Sequence, residues 1–233
     1  MKKIKDIKVL IINPNSSEEM TADIQRVAEA YADDEYTVKT VSTPGAPEFI
    51  DYYIDAALAA PGMLQIVKDN YDEFDAFIVA CHCDPNLDLL KEFCDKPVIG
   101  IGEASMKMAS MLGHSFSVIS TGSHSIANKE MLIHKYGLDT AAASVRAPES
   151  DVTSYNSADL FMSAAKAAIE KDAAEVLVLG CAGMAGIDKA ISDKFGVPVL
   201  DGIICAMMMA VGMVKAGYTT SKYRQYSGPE KTE

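Results

Sequence analysis

The chain has 233 residues, 49% hydrophobic and 23% charged, with 21 basic against 33 acidic side chains for a net charge of −12. That length accommodates one large α/β domain or two small ones with a substantial core. The acidic balance, with no basic block beyond the Lys2–Lys8 cluster, argues against nucleic acid or an anionic membrane surface as a partner. The composition is that of an ordinary globular protein without a low-complexity tract.

Short apolar or β-branched runs alternate with helical-length segments, the pattern of a parallel α/β fold. The first run, Val9–Ile12, is too short for the apolar region of a secretion signal despite the lysines before it. Strands are expected next at Thr37–Val41, Ala76–Ala80, Val98–Ile99, Ser117–Ser120, Ala143–Val145, Val176–Leu179 and Val199–Leu200. Helices are expected at Ser17–Tyr31, Ile50–Asn70, Glu103–Leu112, Ile126–Tyr136, Ala158–Lys171, Ile187–Phe195 and Ile203–Ala216. Pro61-Gly62 is expected to kink or split the second of these, and the polar tail after Gly217 to fray. The apolar stretch Ile203–Val214 falls short of a membrane span and contains Gly212. A cytoplasmic protein is therefore expected, its five cysteines (Cys81, Cys83, Cys94, Cys181, Cys205) free thiols rather than a disulfide framework.

The chain also repeats itself. "FDAFIVACHCDPNLDLLKEFCDKPVIGIGEASMKMA" and "AEVLVLGCAGMAGIDKAISDKFGVPVLDGIICAMMMA" each read strand, cysteine, helical residues, Pro-Val, then a Met-bearing helix. Cys81 and Cys181 lie 16 and 17 residues before their Pro-Val pairs, and "KVLIINPNSS" corresponds to "SFSVISTGSHS". A duplicated α/β unit predicts two pseudo-symmetric lobes of similar size. The first covers about residues 1–100 plus the helix 203–216, the second about 101–202.

In open parallel sheets, ligands bind beyond the carboxyl ends of the strands. Cys81 and Cys181 sit at such ends, as do Asn13-Pro14-Asn15-Ser16 and Ser120-Thr121-Gly122-Ser123. Pseudo-symmetry would bring these loops to one cleft with the cysteines facing across it. That suits racemisation, in which one base removes a proton from a carbon acid and a conjugate acid opposite returns it. A free thiol has a pKa of about 8.5, lowered by nearby donors or a helix N-terminus. The turn-prone "CAGMAG" and "CDPNLD" leave backbone N–H groups free for a thiolate or a nascent enolate. Each feature also has a plainer reading. A cysteine ending a buried strand is often only a small hydrophobe, and Ser16 with Glu19 has the spacing of a helix capping box. Cys205 and Met207–Met209 read as core, and Cys94 falls late in a helix without a role. Cys81-His82-Cys83 with Cys94 could supply zinc-type ligands but lacks the usual C-x(2–4)-C pairs. His124 lies in the loop paired by the repeat with Asn13–Ser17. A phosphatase arginine, a C-x-x-C pair and a nucleotide-binding glycine motif are all missing.

"INPNSS", "AC" and "DP" around Cys81, "PVIGIGEASMKMA" and "LGCAGMAG" resemble the aspartate/glutamate/hydantoin racemase superfamily, in its hydantoin racemase branch. The resemblance runs from about Lys8 to Ala216. It implies two Rossmann-like lobes with the active site between them, no cofactor and no metal, a small-molecule substrate, and Cys81 and Cys181 as acid/base residues. It implies substrate contacts from Asn15, Ser16 and the Thr121 loop. Asn13, His82, Cys83, Ser120, Gly122, Ala182 and Gly183 complete the expected binding set by position. His82 and Cys83 replace the aromatic and small residues usual after the first cysteine. The residues after either cysteine also differ from those of the amino-acid racemases, so a 5-substituted hydantoin or a cyclic ureide such as allantoin is the expected substrate. An acidic amino-acid racemase, a related decarboxylase or isomerase, and a non-catalytic two-lobed binder are the alternatives. Self-association is compatible with an enzyme of this size, although no segment marks an interface.

Overall fold

The computed structural model describes residues 2–149 and 157–228. Among these residues eight strands form two four-stranded sheets in which every pairing is parallel. The first sheet has β1 (Lys8–Asn13), β2 (Thr37–Ser42), β3 (Ala76–Val79) and β4 (Val98–Gly100) in the order β2-β1-β3-β4. The second has β5 (Phe116–Ile119), β6 (Ala142–Arg146), β7 (Val176–Leu179) and β8 (Val199–Leu200) in the order β6-β5-β7-β8. The helices are α1 (Glu18–Ala32), α2 (Tyr53–Asp69), α3 (Leu87–Phe93), α4 (Ile101–Leu112), α5 (Ile126–Lys135), α6 (Met162–Asp172), α7 (Asp188–Phe195) and α8 (Gly202–Ala216). The fold is the expected parallel α/β type.

Two compact units divide the chain. One runs to Ala80, resumes over Asp84–Gly100 and returns from Met207; the other holds Cys81–Cys83 and Ile101–Ala206. Within each, helices cover the sheet, so the inner strands are apolar along their whole length rather than alternating. Val9–Ile12 and Ala76–Val79 are fully buried in the first unit, and Val176–Val178 in the second. In the first core Leu10, Ile12, Phe77 and Val79 pack with Met63 and Val67 of α2 and Leu87 and Leu90 of α3. In the second, Leu177 and Leu179 meet Ala164, Ala165 and Ala168 of α6 on one face, and Val176 and Val178 meet Met106 and Ala109 of α4 on the other.

Local chemistry moves several expected boundaries. Ser17 rather than Ser16 caps α1, its hydroxyl accepting from Met20 N–H at 3.3 Å. Asp55 reaches back to the N–H groups of Asp51 and Tyr52, at 3.1 and 2.9 Å, and so starts α2 three residues later than expected. Pro61 does not split that helix, which continues to Asp69. A Cβ on the next residue, Gly62, would lie 2.5 Å from the Pro44 carbonyl oxygen, so this glycine serves a close approach to the Thr43–Pro44 loop rather than a break. Cys94 lies just past α3, in extended conformation and buried in the first core. A 3-10 turn, Ala158–Phe161, precedes α6. The tail does not fray where it is described. Lys222 donates to the carbonyls of Lys91 and Glu92 at 2.7 and 2.8 Å, Tyr226 O–H to Asp88 at 2.9 Å, and Thr219 to the Asp95 carbonyl.

The edge strand β6 is tied to α6 by charge. Arg146 donates from Nε and Nη2 to the two carboxylate oxygens of Asp172 at 2.7 and 2.6 Å, and Ser144 O–H adds a bond of 2.6 Å. The guanidinium first, then the Ser144 hydroxyl, hold the Asp172 carboxyl below its usual range, against the opposing effect of burial. A depressed carboxyl stabilises the fold above its unfolded value and loses that contribution as pH falls through its folded one. Asp172→Asn should therefore lower the unfolding free energy in urea by about 1 kcal/mol at neutral pH. The gap to the wild type should close in acid; a gap that persists there would show that the charge is not the cause.

Candidate active site

β3 ends at Val79, and one further ladder bond, Ala80 N–H to the Ile12 carbonyl at 2.8 Å, pins the residue before Cys81. The chain then turns tightly. Asp84 and Asn86 take φ of +46° and +57°, a region side chains enter only when the surroundings insist. Asn86 donates from its amide to the Ala56 carbonyl at 2.7 Å. The buried carboxyl of Asp84 fills the space beside Gly100, where a Cβ would lie 2.1 Å from Oδ1. Cys81 and Cys83 are left half-buried. His82 is buried between them, its Nε2 3.2 Å from Ser105 Oγ of α4 and its Nδ1 without a hydrogen-bond partner among the described residues. Burial first, then the charge of Lys129, push His82 well below the usual histidine range, so its ring is neutral at pH 7.

Lys129 comes from α5. It is 2% exposed and donates from Nζ to Cys83 Sγ at 3.4 Å. Cys83 is in turn hydrogen-bonded to Cys81, and this bond, then burial and the electrostatic effect of Cys83, push the Cys81 thiol well up, with the Lys129 charge and the Cys83 backbone N–H opposing. Cys81, His82, Cys83 and Lys129 all belong to the second unit.

Cys181 follows β7 by the same device. Gly180 N–H donates to the Ile119 carbonyl at 2.8 Å, and a Cβ on Gly180 would come within 2.6 Å of that oxygen. Cys181, in extended conformation and half-buried, precedes the 3-10 turn Ala182–Met184, and its Sγ accepts from Gly183 N–H at 3.4 Å. Beyond it, Asp201 at the end of β8 holds the loop. Oδ1 accepts from Ile203 N–H at 2.7 Å, capping α8, and Oδ2 accepts from Gly186 N–H at 3.2 Å. Burial above all pushes the Asp201 carboxyl up, these backbone donors opposing.

The loops after β1 and β5 are shaped by their own polar groups. Asn13 is fully buried, donating to Asn15 Oδ1 at 2.7 Å and Thr21 Oγ1 at 2.9 Å. Thr43 O–H donates to the Asn13 carbonyl at 2.7 Å. Asn13 thus builds the loop, and Ser16 stands exposed on it with Asn15 buried beneath. In the second unit Ser120 is buried and hydrogen-bonded to Ser125, with Thr121 half-buried and Gly122 buried beside it. Ala182 is buried and Gly183 half-buried next to Cys181.

Residues 9–210 match the Asp/Glu/Hydantoin racemase family. The hydantoin racemase of Pseudomonas sp. (strain NS671) is 35% identical over 97% of this chain and 94% of its own. The allantoin racemase structures from Klebsiella pneumoniae and Pseudomonas fluorescens are each 31% identical over 97% of this chain, covering 95% and 99% of theirs, with TM-scores of 0.90 and 0.91. The chain belongs to the Asp/Glu/hydantoin racemase family. It is a racemase.

Among the described residues of this racemase no helix is long and apolar enough to cross a membrane, and no group of three or more His, Cys, Asp or Glu side chains is arranged to hold a metal ion. Lys129 and Asp201 are the residues sequence reading passed over. Lys129 shares the buried stripe of α5 with Leu132 and Ile133, three and four residues on, so a lysine in an apolar i, i+3, i+4 pattern was the available signal. Gly180→Ala should force β7 away from Ile119 and cost about 1–3 kcal/mol in urea unfolding. An unchanged midpoint would contradict the close approach.

Proposed function

We propose that this racemase inverts the stereocentre of 5-substituted hydantoins or related cyclic ureides such as allantoin, without a cofactor, by a two-thiol mechanism. The observation that carries the reading is the matched placement of the two cysteines. Each follows, after one intervening residue, the inner strand, β3 or β7, that stands third in its sheet, in a chain matching hydantoin and allantoin racemases over nearly its whole length.

The C5–H of a hydantoin lies next to a ring carbonyl. One cysteine thiolate takes that proton, and the C–H electron pair moves into the carbonyl to give a planar enolate. The other cysteine gives its S–H proton to the opposite face as the electron pair returns to carbon, and its sulfur is left as thiolate. Which cysteine begins as base depends on the enantiomer bound. Gly183 N–H, aimed at Cys181 Sγ, stabilises negative charge on that sulfur. Ala182 and Gly183 leave room beside it, and Ser120, Thr121 and Gly122 supply donors for the ring oxygens. Asn15 and Ser16 take the same role from the β1 loop, which Asn13 supports.

Cys81→Ser and Cys181→Ser should each reduce racemisation by on the order of 10²–10⁴-fold, the usual weight of a general acid or base. The assay is loss of optical activity across a panel of hydantoins, allantoin, aspartate and glutamate. In deuterated water, deuterium should enter the stereocentre as optical activity decays. Full retention of the original proton would overturn the two-thiol reading, and turnover of free aspartate or glutamate alone would overturn the substrate.

A further inference from the structure

Lys129 is a buried cation whose surroundings invite a question about its counter-charge. Among the described residues its ammonium makes one hydrogen bond, to Cys83 Sγ at 3.4 Å, and no carboxylate lies within ion-pair distance of it. A buried ammonium needs a compensating charge close by. His82, the next titratable group along, is neutral and turned toward Ser105. The remaining groups in the cluster are the two thiols of Cys81 and Cys83.

We propose that Cys83 and Lys129 form a thiolate–ammonium pair that keeps Cys81 protonated in the resting enzyme, so that Cys81 waits as the proton donor and Cys181 as the base. Cys83 and Lys129 are then positioning residues that act through Cys81. The proposal rests on the reading of Cys81 as an acid/base residue. Of the two sulfurs, only Cys83 is hydrogen-bonded to the lysine. Cys83 in turn bonds Cys81, and a thiolate there favours the proton remaining on its neighbour. Lys129 shares the buried face of α5 with Leu132 and Ile133, and the end of its side chain reaches the sulfur. When Cys81 donates its proton to the enolate, the new thiolate faces a second one at Cys83. The two like charges are relieved when Cys81 takes a proton from water, while Cys181 releases to water the proton it removed from substrate.

The test is labelling of the native enzyme with iodoacetamide at neutral pH, each cysteine's rate read by peptide mass. In the wild type Cys83 should be labelled quickly and Cys81 slowly. Cys83→Ser should speed labelling of Cys81 by about tenfold or more, the change expected for each unit of acidity restored. Lys129→Met should slow labelling of Cys83 by a similar factor and weaken the ultraviolet thiolate band of the folded protein, and Lys129→Arg should restore both. Cys83→Ala gives the same reading of Cys81 should the serine variant fail to fold. An unchanged Cys81 rate in both Cys83 variants, or an unchanged Cys83 rate and thiolate band in Lys129→Met, overturns the pair. These rates do not depend on turnover. A Cys81→Ser enzyme that still racemised would sink the two-thiol reading and leave the labelling to judge the pair by itself.

Discussion

Ala80 N–H donates to the Ile12 carbonyl and Gly180 N–H to the Ile119 carbonyl, each at 2.8 Å. These bonds carry each parallel ladder one residue past the end of its strand. The next residue is a cysteine in both places. A thiol placed there rides on the most rigid part of an α/β unit, a fully buried inner strand, yet its sulfur stands at the carboxyl edge where ligands collect. The residues on either side, Ala80 and His82 in one unit and Gly180 and Ala182 in the other, are buried, whereas the cysteine between them is half-buried. The rest of each unit can be read as support for that one position.

The supports differ between the units although the strand order is the same. After Cys81 the chain reverses through two non-glycine residues with positive φ, and the Asp84 carboxyl packs against Gly100 at the end of β4. After Cys181 a single 3-10 turn suffices, and the carboxylate comes from the other side, Asp201 at the end of β8 reaching to Gly186. A buried carboxyl thus braces each cysteine loop, supplied in one case by the loop and in the other by the neighbouring strand. Each sulfur accepts from the backbone N–H two residues on, Gly183 at Cys181 and Cys83 at Cys81, but Cys81 also meets a second sulfur and beyond it an ammonium.

Much of this was legible in the residues. Continuous apolar runs such as Val9–Ile12 and Val176–Leu179 can hardly be anything but strands buried on both faces, and all eight were located to within about a residue. The cysteines were legible because their position recurs. Polar contacts made across the chain were not. Asp201 reads as a residue between a strand and a helix, and only the fold brings Gly186 to it. Asp55 resets the start of α2 through bonds to backbone N–H groups, a choice that periodicity does not encode. Pro61 misled because its neighbour Gly62 looks like a breaker, whereas a neighbouring loop leaves no space for a side chain there. Lys129 escaped notice because a charged residue in an apolar stripe is ordinarily taken as a solvated side chain.

Unequal surroundings for two thiols do not conflict with racemisation. Enantiomers have equal free energies, so no arrangement of the site can favour one at equilibrium, and kcat/KM must be the same in both directions. What the surroundings can set is the form in which the enzyme waits between turnovers, and so how the common kcat/KM divides into kcat and KM for each enantiomer. Two equivalent thiols would share one proton indifferently, leaving each enantiomer to meet the wrong form in a large fraction of encounters. A backbone N–H stands beside each sulfur, so the tie is broken by the second sulfur, that of Cys83, which favours the proton on Cys81. The departure of this chain at His82 and Cys83 then bears on the resting state of the site as well as on the side chain of its substrate.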